Sequence, residues 1–225
     1  MIANSCWTAK VVKQHCGAEC AEVVYPPVEI ETSIVPWEAK EQSFVMIGRI
    51  APEKRIERAI EILEGVRQRG HMVQLHLCGQ NENDLYGRQI AHLCHERADW
   101  VFPEGSVTGA RKAQILASSR FGIQTRAAEP FGISVAEMVK AGAIVFAPNE
   151  GGQAEVLGHP DLLFSSIEDA VEKILSVLED RPLQTSLRGH LAHQAEQFSA
   201  QSFVNQVRAL MADLPVHLEQ AGVML

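Results

Sequence analysis

Short apolar runs alternate with amphipathic stretches along most of the chain. The apolar runs are rich in Val, Ile or Phe, and several end at Gly or Pro, which predicts β-strands. The predicted strands are AEVVY (21–25), SFVMIG (43–48), MVQLHLCG (72–79), DWVF (99–102), RFGIQT (120–125), AIVFAP (143–148) and DLLF (161–164).

The stretches between these runs carry apolar residues at helical spacing. Segments 53–68 and 110–118 repeat apolar positions every three or four residues, which predicts amphipathic helices. A helix is also predicted from about Gly132 to Lys140, and one or two polar-faced helices over 185–225. Strands alternating with helices predict an α/β fold, a Rossmann-like parallel sheet with helices on both faces.

Composition narrows the class of protein. The 225 residues are 46% hydrophobic and 21% charged, which is typical of a soluble globular chain. The formal net charge of −8 and the lack of a basic cluster exclude a nucleic-acid partner. No apolar run reaches the length of a transmembrane helix, although peripheral membrane association stays open.

The five cysteines are odd in number and irregularly spaced, as in a reduced cytoplasmic protein. A zinc site drawn from Cys16, Cys20, Cys94 and the histidines beside Cys94 is disfavoured, because no paired CxxC motif is present. Buried or half-buried thiols are expected instead, with Cys78 inside a strand.

Ligands of open parallel sheets bind beyond the carboxyl ends of the strands, so the loops there are the candidate site. Those loops are GRIAPEK (48–54), GQNEND (79–84), PEGSVTG (103–109), RAAEPFG (126–132) and PNEGGQAE (148–155). Together they hold most of the glycines and many of the unpaired charges.

Two basic residues of the first loop could bind a diphosphate. Arg49 follows Gly48 at a strand end, and Lys54 follows Pro52, a residue favoured in the first turn of a helix. Arg provides a planar fork of donors and Lys a point charge, which suits a diphosphate. The alternative is an Arg49–Glu53 ion pair and a solvated Lys54.

Two carboxylates flank the start of the helix that begins near Gly132. Val135, Met138 and Val139 form its sheet-facing side, which leaves Glu137 off that face and leaning toward the helix start. Glu129 precedes the helix, so both acids can face one pocket and accept hydrogen bonds from sugar or ribose hydroxyls. The alternative is a dipole-stabilising Glu129 and a solvated Glu137.

The free amides from Phe131 to Ser134 add a positive helix end for a phosphate. Gly132 would allow a ligand to approach the backbone closely. The Gly151-Gly152 pair downstream could be no more than a simple turn.

The stretch Glu129-Pro-Phe-Gly…Glu137 resembles the E-x7-E motif of retaining glycosyltransferases of the GT-B fold, in the large group called family 4 or group 1. Further segments resemble the same family in the expected order. They are NSCWT (4–8), VVYPPV (23–28), GRIAPEK (48–54), VFPEGSVTGARKAQILASS (101–119) and AGAIVFAPNEGGQAEVL (141–157). The resemblance covers roughly residues 3–211 and overturns the alternative for Arg49 and Lys54.

The resemblance implies a role for each candidate residue. Arg49 and Lys54 would bind the donor diphosphate and stabilise it as it leaves, during a transfer on one face of the sugar. Glu129 would bind hydroxyls of the sugar, Glu137 would bind the ribose, and the amides of 131–133 would line the sugar and phosphate site.

The catalytic residues implied are Arg49, Lys54 and Glu129. The binding residues implied are Gly48, Gly105, Val107, Phe131, Gly132, Ile133 and Glu137, with Gly105 to Val107 along the base. Neither a cofactor nor a metal is expected, and no D-x-D motif is present. Arg55 departs from the family, which often has a small residue or Asn there, and would add a third cation near the phosphates.

Enzymes of this family have two domains of similar size, and the first holds the acceptor. The chain is therefore expected to be one nucleotide-sugar-binding domain over 1–225, with an entry segment at 1–20 and C-terminal helices at 185–225. The acceptor domain is expected to be absent, either through truncation or because another chain supplies it. The C-terminal helices, lacking that domain, are expected to expose an apolar patch that drives self-association.

The expected function is transfer of a hexose from a GDP- or UDP-linked donor to an unidentified acceptor, with no activity without the first domain. NSCWT and YPP are similar to segments of a eukaryotic mannosyltransferase that uses GDP-mannose to extend a lipid-linked oligosaccharide. One alternative is a non-catalytic nucleotide-binding partner subunit. The other, a nicotinamide-dependent oxidoreductase, is disfavoured because no G-x-G-x-x-G follows the first strand.

Overall fold

The computed structural model describes residues 1–20, 22–31 and 35–220, with side chains described as far as residue 212. Its main sheet has six parallel strands in the order β5–β4–β3–β6–β7–β8. These strands are β3 Glu41–Ile47, β4 Gln74–Cys78, β5 Val101–Gly105, β6 Ser119–Ile123, β7 Ile144–Pro148 and β8 Leu163–Phe164. The predicted Rossmann-like parallel sheet is confirmed.

Helices cover both faces of the sheet. They are α1 Cys6–Cys16, α2 Ile56–Gln68, α3 Leu85–Glu96, α4 Gly109–Ser118, α5 Ile133–Lys140, α6 Gln153–Leu157, α7 Ile167–Glu179, α8 Arg181–Glu196 and α9 Ala200–Gln220. Helix α2 packs against α3 and α7 on one face, and α5 packs against α6 and α8 on the other. This division follows from right-handed crossovers that run in opposite directions from the sheet centre.

The core lies where the central strands meet these helices. The rings of Phe44, Phe121 and Phe146, from β3, β6 and β7, are fully or almost fully buried. Phe44 stacks on Phe121 with ring centroids 5.0 Å apart, and Phe146 lies 6.2 Å from Phe44. Large rings on three adjacent strands keep the sheet centre rigid, which fixes the loops at its carboxyl end.

A small unit precedes the main sheet. Strand β1, Ile2–Ala3, pairs in parallel with β2, Glu22–Val23, and α1 connects the two. A pair of two-residue strands is not stable by itself, so this unit depends on its contacts with the rest of the chain.

Most predicted elements occur, with shifted ends. The first strand prediction, 21–25, is reduced to β2, and Ala21 lies outside the described residues. The helix predicted over 53–68 begins at Ile56, because Pro52–Lys54 forms a 3₁₀ turn and Arg55 has φ 49°. The C-terminal helices begin at Arg181 rather than at 185, and residues 221–225 lie outside the described part.

Candidate functional site

The strand order reverses between β3 and β6, at the centre of the sheet. The chain leaves β3 toward β4 on one side, and leaves β6 toward β7 on the other. Loops that diverge at such a switch point leave a crevice beyond the strand ends, where ligands of this architecture bind. The loop after β3 carries Lys54, and the loop after β6 carries Glu129.

Lys54 and Glu129 meet in this crevice. Nζ of Lys54 donates a hydrogen bond of 3.0 Å to Oε2 of Glu129, and the two side chains are only 13% and 18% exposed. Nε of Arg126 approaches the same carboxylate oxygen at 3.3 Å. Gly48 leaves space for this side chain, because a Cβ at that position would lie 3.1 Å from Cε of Lys54 and the lysine would have to shift. The solvated alternative for Lys54 is therefore wrong.

Arg49 is placed differently. Its guanidinium lies 3.4 Å from the carboxylate of Glu53, four residues further along the loop, and the side chain is 70% exposed. This is the arrangement that the alternative interpretation of Arg49 described. A surface pair of this kind contributes little stability, so a stronger anion could displace Glu53.

The loop after β6 is held by buried polar side chains. The amide of Gln124 donates to the carbonyl of Ile47 at 3.1 Å and to the hydroxyl of Ser134 at 3.0 Å. The hydroxyl of Thr125 contacts the carbonyls of Lys54 and Arg55 at 2.8 and 2.9 Å. These bonds join the β3 and β6 loops directly, so Lys54 and Glu129 are held in register.

Glycines allow backbone segments to pack closely around Glu129. A Cβ on Gly151 would lie 2.6 Å from the Glu129 carbonyl oxygen, and one on Gly152 would lie 2.3 Å from that of Pro130. The Gly152 amide donates to the Glu129 carbonyl at 2.8 Å. The glycine pair lies in the turn before α6 and also packs against the loop, so it is more than a simple turn.

Gly132 is the N-cap residue of helix α5 and has φ 100°, a conformation that other residues rarely adopt. Phe131, beside it, is 3% exposed and packs against the rings of Tyr25 and Phe198. Ile133, in contrast, is 54% exposed. In this loop, therefore, the Phe131 side chain is anchored in the core, Gly132 has a backbone conformation that favours glycine, and the Ile133 side chain faces solvent.

Glu137 has a partner that the sequence analysis did not identify. Nζ of Lys112, on α4, lies 2.6 Å from its Oε1, and the carboxylate side chain is 15% exposed. Both residues line a cleft of about 960 Å³ that also includes Gly109. As predicted, Val135 and Met138 are buried and Glu137 lies off their face.

The predicted base-binding loop is fixed by Glu104. That carboxylate accepts hydrogen bonds from Nδ1 of His76 at 2.8 Å and from Arg111 at 2.6 Å. Burial alone would raise its pKa, but the hydrogen bonds from Arg111 and His76 hold the pKa below its ordinary value. Gly105 lies at the mouth of a largely apolar cavity of about 360 Å³ between α3 and β5. Val107 follows it in the exposed turn before α4 and packs on the edge of the core.

Arg55 does not join Lys54, Glu129 and Arg126 as the predicted third cation. Its side chain is exposed and lines a separate cleft with Arg58 and Ser166. The cations that accompany Lys54 and the two carboxylates are instead Arg126 and Lys112. Arg126 directly follows the strand predicted over 120–125, and that position was the only sequence signal for it, whereas Lys112 lies inside the helix predicted over 110–118 and had no such signal.

Among the described residues, no group of three His, Cys, Asp or Glu side chains is arranged to bind a metal ion. Likewise, none of the described helices is long and apolar enough to cross a bilayer. Cys78 is buried in β4, as predicted, and burial raises its pKa to about 12.

The sequence of residues 29–213 matches the family described as "Glycosyl transferases group 1". The chain belongs to this family. The match spans the β3, β6 and β7 loops that form the crevice, and it does not support the dehydrogenase alternative.

Similar proteins extend the comparison. The chain is 26% identical over 225 residues to the GDP-Man:Man(3)GlcNAc(2)-PP-Dol alpha-1,2-mannosyltransferase of Xenopus tropicalis, which covers 90% of this chain and 46% of the relative. It thus spans about half the length of the curated relatives it matches. Two solved structures share the fold, each with a TM-score of 0.78. Sucrose-phosphate synthase from Thermosynechococcus elongatus is 18% identical, and the match covers 96% of this chain and 58% of that one. Anabaena HepE in complex with UDP-glucose is 19% identical, and the match covers 94% of this chain and 63% of that one.

Proposed function

We propose that this chain is the donor-binding half of a retaining glycosyltransferase of family 4, which transfers a hexose from a nucleoside diphosphate sugar. The observation that supports it most is the Lys54–Glu129 pair, largely buried at the switch point of the sheet. A cation and an acid in this crevice suit a ligand that has both a diphosphate and hydroxyl groups.

Three ion pairs of the site would open when the donor binds. The diphosphate replaces Glu129 as the partner of Lys54, and Arg49 leaves Glu53 to reach the same group. Glu129, which Arg126 still contacts, then accepts hydrogen bonds from the sugar hydroxyls. Similarly, the ribose takes the place of Lys112 beside Glu137.

Lys54 and Arg49 are the residues proposed to act in catalysis. As the bond between the sugar and the diphosphate breaks, negative charge grows on the leaving oxygen. Cations fixed beside that oxygen stabilise the transition state more than the bound donor. The amides of 131–133, at the start of α5, add a positive helix end near the same phosphate.

The proposed donor is GDP-mannose, since curated relatives are described as GDP-mannose-dependent mannosyltransferases. The acceptor domain would come from a further part of the protein or from another chain, and the proposed location is cytoplasmic. Without that domain the chain would bind the donor but would not transfer the sugar. The alternative of a non-catalytic nucleotide-binding subunit predicts the same binding but no transfer with any acceptor domain.

A ligand screen tests the proposal. The melting temperature of the chain is measured with GDP-mannose, UDP-glucose, ADP-glucose and NAD, followed by calorimetric titration of the compounds that raise it. We expect stabilisation by a nucleotide sugar and none by NAD, because bound ligand stabilises the folded state. Stabilisation by NAD alone, or by none of the four, would contradict the proposed function.

A further inference from the structure

Glu155 connects the entry segment (1–20) to the donor loop, which is the segment 129–133. It lies in α6, just after the glycine pair, yet its carboxylate caps a helix about 150 positions earlier. Oε1 accepts a hydrogen bond of 2.6 Å from the amide of Trp7, and Oε2 accepts one of 2.9 Å from the amide of Cys6. The first turn of α1 contains no acidic residue, so Glu155 provides the negative charge that a helix N-terminus favours.

Tyr25 adds a third donor to the same carboxylate. Its hydroxyl lies 3.0 Å from Oε2 of Glu155. Burial, together with hydrogen bonds to Cys6 and Glu155, raises the pKa of Tyr25, so the phenol stays protonated and donates. The carboxylate thus holds the start of α1 and Tyr25, two residues after β2, at one point.

The start of α1 also contacts the donor loop directly. The hydroxyl of Ser5, a fully buried N-cap residue, donates to the carbonyl of Pro130 at 2.5 Å. The hydroxyl of Thr8 donates to the same carbonyl at 3.2 Å. Pro130 lies between Glu129 and Phe131, in the middle of the proposed donor loop.

These contacts enclose the donor loop from two sides. Gly151 and Gly152 pack against one side of residues 129–131, and the first turn of α1 bonds to Pro130 on the other. Glu155 follows the glycines by one helical turn and bonds back to α1. The loop contacts the glycine pair, the glycine pair leads to Glu155, Glu155 bonds to α1, and α1 bonds back to the loop. Among these described contacts, those of Glu155 are the only ones made by a charged side chain.

We propose that Glu155 is a positioning residue of the donor site, which clamps helix α1 against Pro130 and so fixes the 129–133 loop around the sugar and phosphate. This inference rests on the proposed function for its ligand, but the clamp itself can be measured without one. If the carboxylate is removed, α1 loses its charged cap and Ser5 loses the support that keeps it against Pro130.

The test compares Glu155→Gln with Asp180→Asn, each in the full chain. Asp180 caps α8 through a 2.9 Å bond to the Leu183 amide, so its variant also loses a charged cap but does not touch the donor loop. Hydrogen–deuterium exchange is measured on the ligand-free proteins. Glu155→Gln is expected to raise exchange both in α1 and in peptides covering 129–137, whereas Asp180→Asn is expected to raise it near α8 alone.

Titration with GDP-mannose and with GDP then separates positioning from stability. We expect Glu155→Gln to weaken GDP-mannose binding about tenfold and GDP binding by clearly less, since one charged hydrogen-bond network is worth about that factor. Faster exchange in α1 with unchanged exchange in 129–137 would overturn the clamp, whether or not any ligand binds. Failure of the unmodified chain to bind GDP-mannose would count against the proposed function instead.

Discussion

The two ends of the sheet each hold a lysine with little exposure, and the two are satisfied in different ways. At the amino end, Lys40 is 6% exposed, and its Nζ donates to the carbonyls of Ala117, Ser119 and Ala141 at 2.7, 3.3 and 2.9 Å. At the carboxyl end, Lys54 pairs with the carboxylate of Glu129 at 3.0 Å.

The partners of the two lysines indicate that Lys40 has a structural role and that Lys54 is available to a ligand. Backbone carbonyls cannot move away from Lys40 without unfolding the ends of α4 and α5, so its hydrogen bonds are permanent. A carboxylate on a loop can exchange for another anion at small cost, because both partners remain charged and paired. Burial alone would not distinguish these two lysines; the chemistry of their partners does.

The largest effect is expected for Lys54→Met. Loss of the point charge beside the diphosphate should weaken nucleotide-sugar binding on the order of a hundredfold. Arg126 keeps Glu129 paired, so the chain should remain folded. Calorimetric titration and a melting curve check both parts, and an unchanged affinity would remove Lys54 from the site.

Lys40→Met should show the opposite pattern. Three carbonyls lose a donor, which should lower the free energy of unfolding by about 2 kcal/mol and the melting temperature by roughly 6 °C. Donor affinity should stay the same, because Lys40 lies at the other end of the sheet. The distinction between the two lysines fails if Lys40→Met weakens donor binding as much as Lys54→Met.

The stability of the unmodified chain should also depend on pH through Lys40. Burial, and secondarily the charge of Arg188, lowers the pKa of Lys40 from 10.5 to about 8. Between these values the unfolded state binds more protons than the folded state, so stability rises with pH across that window. Below about pH 8 both states are protonated and this dependence vanishes.

Urea unfolding at a series of pH values measures the free energy of unfolding of the unmodified chain and of Lys40→Met. The difference between the two values at each pH isolates Lys40, because the other titrating groups contribute equally to both proteins. We expect the unmodified chain to gain about 1–2 kcal/mol over the variant between pH 8 and pH 9.5. A flat difference, or a loss of stability over that range, would show that burial does not depress this pKa.

The smallest effect concerns Glu53, which competes with the ligand for Arg49. Since exposed ion pairs are weak, Glu53→Gln should strengthen nucleotide-sugar binding only about twofold. Glu61→Gln is the matched control, because it removes the same charge from an exposed site on α2. Equal changes in the two variants would mean that net charge alone, rather than release of Arg49, sets the affinity.

Much of the fold could be predicted because its strands carry strong apolar patterns. Helix α1 was missed: none of its residues is buried, its apolar residues such as Trp7 and Val11 are only half-buried, and the negative charge at its start comes from the distant Glu155. Helix α3 was missed as well, since its first turn contains Gly87 and few apolar residues precede Ile90. Helix α7 was missed too, although its buried Ala170, Val171, Ile174 and Leu175 lie at helical spacing, so only the omission of α1 follows from a distant partner.

Part of the candidate site could also be predicted from the sequence, and part could not. Local motifs indicated Lys54, Glu129 and Glu137, and the strand ends placed them on one side of the sheet. No local pattern shows that Lys112 lies opposite Glu137, because that contact depends on how α4 packs beside α5. Arg49 shows the reverse case, since the motif suggested a ligand contact and the structure has a surface pair with Glu53.

A crystal structure of this chain with a bound nucleoside diphosphate sugar would show directly whether the diphosphate replaces Glu129 beside Lys54. We expect the diphosphate within hydrogen-bond distance of Nζ of Lys54 and the Glu129 carboxylate turned toward the sugar hydroxyls. A diphosphate bound elsewhere, with the Lys54–Glu129 pair still closed, would contradict this expectation.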